Sequence, residues 1–175
     1  MKRRGSRAGD EAAVPRPDAW EIALKLLAMR ALSREELRRR LARRGVPPEQ
    51  ISATLAKLTA ARYLDDGEYA RAWARSRAHR RSLGPTRLAQ ELRAKGIAER
   101  DIAGAVQEVY AERGAREVAE AAAMRRLPAL QGLSPEVARR RLAGYLSRRG
   151  FAAEIILALC RKHFPHGNDP PGNDQ

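Results

Sequence analysis

The side chains best placed to do chemistry in this sequence are guanidinium groups. Arg34, Arg38, Arg39, Arg40, Arg43 and Arg44 crowd one short stretch. Arg71, Arg75, Arg77, Arg80, Arg81 and Arg87 run through a second, and Arg139, Arg140, Arg141, Arg148 and Arg149 through a third. No Asp or Glu stands between Tyr69 and Gln90, although the chain holds 21 acids. A guanidinium offers a rigid fork of donors to phosphate or carboxylate. Repeated clusters of it suit the binding of a long polyanion, not the making of bonds. The net charge points the same way: 35 Lys and Arg against 21 Asp and Glu leave +14. The candidate contacts are Arg39, Arg43, Arg71, Arg75, Arg80, Arg81, Arg87, Lys95, Arg140 and Arg148. For any single Arg a solvated helix face is the simpler reading. The acid-free stretch is where a binding role is favoured.

Other chemistry is poorly supplied. Cys160 is alone among 175 residues, which excludes a disulfide framework and a Cys-rich zinc site. The three His, at 79, 163 and 166, are too scattered for a metal site. There is no phosphate-binding Gly-Lys loop, nucleophile elbow or HExxH helix. No catalytic residue, metal or cofactor is therefore expected. No apolar run approaches the ~18 residues of a membrane span. The basic start, Lys2 to Arg7, is followed by Asp10, Glu11 and Pro15 and not by an apolar core, so no signal peptide is read and a cytoplasmic location is expected.

The arginines need elements to carry them, and the glycines mark those elements. Gly45, Gly96 and Gly150 each follow a basic residue (Arg44, Lys95, Arg149) and precede an apolar one (Val46, Ile97, Phe151). Leu41, Leu92 and Leu146 stand four residues before them, and Leu37, Leu88 and Leu142 eight before. Ile51, Ile102 and Ile156 stand six after. A motif recurring about every 50 residues is an internal repeat. Leucines at −8 and −4 form one helical face. The Gly then ends that helix in the left-handed conformation, and a second helix follows at once.

A third helix precedes each pair: Ala19 to Arg30 with Trp20, Ala23, Leu24 and Leu27 inward; Asp66 to Ser82 with Ala70, Trp73 and Ala74 inward; Gly114 to Arg126 with Val118, Ala122 and Met124 as apolar positions. Ser33 with Glu36 reads as a capping box, and Ser134-Pro135-Glu136 as another helix start. Gly84-Pro85 breaks one helix and begins the next. Ala, Leu, Arg and Glu dominate, all helix formers, and no stretch alternates like a strand. The expected fold is all-α: three tandem three-helix, helix-turn-helix-like repeats in an elongated, curved array. The expected limits are a basic disordered tail at 1–17, repeats at 18–65, 66–113 and 114–164, and a second disordered tail at 165–175.

The segment 63–97 is the most distinctive. It reads Tyr63-Leu64-Asp65-Asp66, then Tyr69-Ala70, Arg77, Gly84-Pro85, Arg87-Leu88, Glu91-Leu92 and Lys95-Gly96-Ile97. In order and spacing it resembles the central signature of the RecX family, regulators of the RecA recombinase. The likeness covers about residues 18–164 and is least regular over 115–133. It implies three helical repeats that bind in the groove of the RecA–single-stranded DNA filament. It also implies a mainly inhibitory effect on filament extension, ATP hydrolysis, strand exchange and coprotease activity. Within the signature, one of Asp65 and Asp66 is expected to cap a helix, and the other is left for RecA or an Arg. Arg77 is expected to stack on Trp73 or to pair with Asp65 or Asp66.

The alternative is a stand-alone nucleic-acid-binding protein with tandem helix-turn-helix units. A scaffold for an acidic protein is the third reading, and it predicts no dependence on DNA. Two features argue against specific reading of duplex DNA. The basic helices carry almost no Asn or Gln for adenine, and the repeats lie in tandem instead of in a symmetric dimer. A monomer is expected, with single-stranded DNA, or duplex DNA without sequence preference, as the nucleic-acid partner.

Overall fold

The computed structural model describes residues 18–112 and 114–165. Both expected tails fall outside the described residues, apart from Pro165. Among the described residues there are nine α-helices and no strand. They are α1 (Ala19–Met29), α2 (Arg34–Ala42), α3 (Pro48–Ala60), α4 (Asp66–Arg81), α5 (Pro85–Ala94), α6 (Glu99–Glu112), α7 (Ala115–Arg126), α8 (Pro135–Arg148) and α9 (Ala153–His163). A 3₁₀ turn, Leu127–Leu130, follows α7. None of these helices is long and apolar enough to cross a membrane.

The starts and stops of these helices are local chemistry. Asp18 accepts from the Trp20 amide and opens α1. Ser33 and Glu36 close a full capping box on α2. Pro48, Pro85 and Pro135 take the first helical position, where a missing N–H costs nothing. Asp65 accepts from the Glu68 amide at 2.8 Å and opens α4. Asp65→Ala is therefore expected to cost about 1 kcal/mol in urea unfolding. The three marker glycines end α2, α5 and α8 at φ +75, +76 and +82°. Each is followed by the same bond: Val46 to the Leu41 carbonyl, Ile97 to Leu92 and Phe151 to Leu146. That bond returns the chain across the last turn and sends it into the next helix.

Each trio of helices encloses its own core. Leu26, Leu37, Leu41, Leu55 and Leu58 fill the first. Ala70, Ala74, Leu88, Leu92 and Ile102 fill the second. Ala119, Ala122, Leu142, Leu146 and Leu159 fill the third. A fully buried Leu contributes about 1.5–3 kcal/mol, so the repeated leucines are the main local stabilisers. In α7 the inward residues are Val118, Ala119, Ala122 and Ala123, whereas Met124 is 55% exposed and does not join the core. Six positions at 100° each carry Met124 well away from Val118, off the buried face. The helix 66–82 stops one residue early, because Ser82 turns left-handed at φ 46°.

The trios meet by a shared device. Gly96 and its neighbours, at the carboxyl end of α5, abut the amino end of α2. The Ser33 hydroxyl donates to the Lys95 carbonyl at 2.7 Å, and a Cβ on Gly96 would lie 2.4 Å from Glu35 Cβ. Gly150, at the carboxyl end of α8, abuts the amino end of α5 in the same way. There the Gly84 amide donates to the Arg149 carbonyl at 2.6 Å and the Thr86 amide to the Gly150 carbonyl at 3.2 Å. Counted back from the marker glycines, Ser33 and Gly84 occupy the same position. The second must be glycine for a reason other than helix breaking. A Cβ at Gly84 would lie 2.4 Å from the Gly150 carbonyl oxygen.

Candidate polyanion-binding face

The end-to-end contacts decide where the arginines go. The carboxyl end of α8 meets the amino end of α5, and the carboxyl end of α5 meets the amino end of α2. The three basic helices therefore form one row, running opposite to the order of the chain. Their dipoles point head to tail, so each negative end faces a positive one. The sequence placed a basic helix in every repeat. The joints set the three end to end.

The first joint is built from the signature. Leu64 lies in the core of the first trio. Asp65 caps α4, and Asp66 reaches across to accept the Arg34 backbone N–H at 2.8 Å, capping α2 from the neighbouring repeat. Burial pushes the Asp66 carboxyl up, while the Arg34 amide and charge pull it down; the net direction is up. Neither aspartate pairs with Arg77, because α4 carries Arg77 about 16 Å along its axis from Asp66. The partner of Arg77 is Glu91, at 3.3 Å, with the guanidinium 4.1 Å over the Trp73 ring. Trp73 Nε1 donates to the same Glu91.

Lys95, expected among the contact residues, belongs to this joint and not to the outer face. Its side chain is 15% exposed, 3.0 Å from Glu36 and 4.0 Å over Trp73. Tyr69, stacked near Trp73, donates its hydroxyl to Glu36 at 3.0 Å. Burial pushes Glu36 up, but Lys95, the Ser33 amide and Tyr69 outweigh it and hold the carboxyl below its usual value. Burial and the Glu36 charge drive the Tyr69 phenol up. The short side of the repeat, Lys95 before Gly96, gave no hint that the amine turns inward.

The remaining candidates separate into groups. Arg39 and Arg43 line a shallow groove of about 470 Å³ on α2 with Arg38 and Arg40. Arg39 is held by Glu35 at 2.7 Å, whose carboxyl is lowered to about 2, chiefly by Arg38. Arg71 and Arg75 lie on α4 and are already paired, with Glu68 at 3.0 and 3.3 Å and, for Arg75, with Glu108 at 2.8 Å. Arg140 is exposed on α8, outside the grooves. Arg80, Arg81, Arg87 and Arg148 do come together, in a groove of about 860 Å³ between the second and third trios.

That groove also holds Arg149, from the third basic cluster but not among the candidate contacts, and Arg125, which sequence reasoning missed. A signal for Arg149 was present, since it precedes Gly150 as Lys95 precedes Gly96. Nothing in the sequence marks Arg125, which arrives from the end of α7. Gln90, Ser147 and Tyr145 complete the lining, and Glu91 is its only acid. The Tyr145 ring lies under Arg149 at 4.5 Å and near Arg126 at 5.5 Å, so cations already cover it.

Nucleophilic chemistry finds no support in the other reactive groups. Cys160 is buried in the third core, and burial pushes its thiol up against the pull of Arg139. His163 bonds Glu120 at 2.9 Å, and the thiol's own partner is the Arg139 carbonyl. His166 lies outside the described residues.

Comparison with known proteins matches each trio to a family model. Residues 19–58 match the first three-helix domain of RecX, 65–106 the second and 115–160 the third. The regulatory protein RecX of Amycolatopsis mediterranei is 38% identical over 144 residues, covering 82% of both chains. That of Halorhodospira halophila is 38% identical over 143 residues, covering 80% of this chain and 84% of its own. Among solved structures, RecX from Lactobacillus salivarius superposes with a TM-score of 0.71 at 22% identity, over 82% of this chain and 93% of that one. A second RecX crystal structure gives 0.74 at 21% identity, over 85% and 72%.

Proposed function

The chain belongs to the RecX family of regulatory proteins, and from that premise we propose that it binds the RecA–single-stranded DNA filament and restrains it. The expected effects are reduced filament extension, ATP hydrolysis, recombinase and coprotease activity. The protein acts as a monomer and without catalysis of its own. The observation that carries this reading is the row of α2, α5 and α8 joined end to end. A row of basic helices fits a partner that is itself long, repetitive and anionic, and it offers no closed pocket for a compact substrate.

The stand-alone DNA-binding reading draws on the same charge. The two separate in a RecA ATPase assay on single-stranded DNA, with this protein added far below saturation of the DNA. Inhibition is expected at that substoichiometric level. If inhibition appears only once the protein covers the free DNA, competition accounts for it and the filament reading fails.

A further inference from the structure

We propose that the groove between the second and third trios is a site for one single-stranded phosphodiester backbone, and that filling it closes the joint beneath it. The inference deepens the reading above and rests on the basic face being the DNA-facing side.

The two joints share a plan but differ in charge. Across the first, Lys95 meets Glu36, and Asp66 caps α2. Lys95 and Arg30 share the Glu36 carboxylate at that seam. Across the second, the guanidinium of Arg149 donates to the Arg81 carbonyl and that of Arg125 to the Ser82 hydroxyl, both neutral oxygens. Six arginines (Arg80, Arg81, Arg87, Arg125, Arg148, Arg149) then line the groove against one acid, Glu91. Glu91 sits in the second trio and is shared with Arg77 and Trp73. Arg149 Nε is buried without a hydrogen-bond partner. Arginines from both trios thus face one another with too little negative charge between them. Bringing them together costs repulsion that only an anion in the groove removes. The trios carry the charges on both banks, so an anion bound there favours the docked arrangement over an open one.

The ligand class follows from the lining. Spread along a groove of about 860 Å³, six guanidiniums match several phosphates in succession better than one small anion. The one ring present, Tyr145, already lies under Arg149 at 4.5 Å, which competes with any base for it. Contact is therefore with the backbone and indifferent to sequence. A concave channel receives a single strand, whereas entering a duplex groove needs a protruding helix.

Two amides report the state of the joint: Gly84 and Thr86 donate across it, to the Arg149 and Gly150 carbonyls. Hydrogen exchange on the full chain at low salt, with and without oligo(dT), is the test, and RecA is absent from it. Exchange at Gly84 and Thr86 is expected to slow on adding oligo(dT). The Arg34 amide, bonded to Asp66 across the first joint, is expected to stay unchanged. The double variant R80E/R148E should lose both binding and protection. R80Q/R148Q guards against misfolding of the reversal, and should lower the salt dependence of binding by about 1.4 log units per log unit of salt, at about 0.7 per phosphate contact. R100E/R161E changes the net charge as much as the reversal does, at exposed sites outside the groove, and should bind as the parent does.

Binding of oligo(dT) without slowed exchange at Gly84 and Thr86 would overturn the inference, as would no binding at all. Equal protection by duplex DNA or by poly-Glu would reassign the groove and overturn it too. A protected joint together with an unaffected RecA ATPase would sink the filament reading and leave the groove standing.

Discussion

Glu36→Ala is expected to lower the stability of the chain by about 2 kcal/mol, between the cost of breaking an exposed ion pair and that of breaking a buried one. One carboxylate there holds four groups. Lys95 Nζ lies at 3.0 Å, the Tyr69 hydroxyl at 3.0 Å, the Ser33 amide at 3.4 Å and Arg30 at 3.6 Å. Lys95 and Glu36 are 15% and 18% exposed, so water does not replace the lost partner well. The alanine variant leaves an ammonium facing only the Trp73 and Tyr69 rings. Urea unfolding measures the loss. A change under about 1 kcal/mol, the size of an exposed pair, would show that packing alone holds the joint. Removing both charges, as E36A/K95M, should recover much of the loss, because no unpaired charge then stays behind.

The same carboxylate sets a pH dependence. Its folded pKa is depressed below the ordinary 4.5. A depressed carboxylate contributes stability that is fully present above the unfolded value and is lost as pH falls through the folded one. The parent should therefore weaken as pH falls below about 4.5, and E36A should show a flatter acid limb.

Gly150→Ala is expected to cost roughly 3 kcal/mol, a fall of about 6–12 °C in Tm for a chain of this size, while Gly45→Ala costs about 1 kcal/mol. Both glycines sit in the left-handed region, at φ +82 and +75°, where a side chain adds strain. Their surroundings differ. A Cβ on Gly150 would lie 2.3 Å from the Arg87 backbone nitrogen, and backbone cannot step aside. A Cβ on Gly45 meets nothing within 4 Å. Among the described residues, no trio docks on the turn at Gly45. Thermal unfolding of the two variants decides the matter. Equal losses would show that the turn's own conformation, and not the docking of one repeat on another, determines the cost.

Much of this was legible because the determinants are short-range. Leucines at −8 and −4, a left-handed glycine and a proline or serine at the helix start act within a turn or two, so the three trios could be read from spacing. The joints could not, because they depend on which end meets which. Asp66 looks like a cap for its own helix and serves α2 instead. Lys95 looks like a surface cation and turns inward. Arg71 and Arg75 stand in the acid-free stretch, yet Glu68 and Glu108 reach them from before it and from α6. A gap in sequence is not a gap in space. Arg125 and Arg149 joined the groove only once α7 and α8 were set against α4 and α5.

The reversed order of the row bears on how the chain is made. A ribosome releases the amino end first, at about 5–20 residues per second. The partners of the α2 amino end are Asp66 and Lys95, and those of the α5 amino end are Arg149 and Gly150. All of them emerge later than the helix they complete. Each repeat thus leaves the exit tunnel unfinished and is sealed by its successor. Among the described residues, no later backbone amide or carbonyl is bonded to the amino end of α8. The third repeat settles the one before it, and the row is complete only after Gly150 has been made.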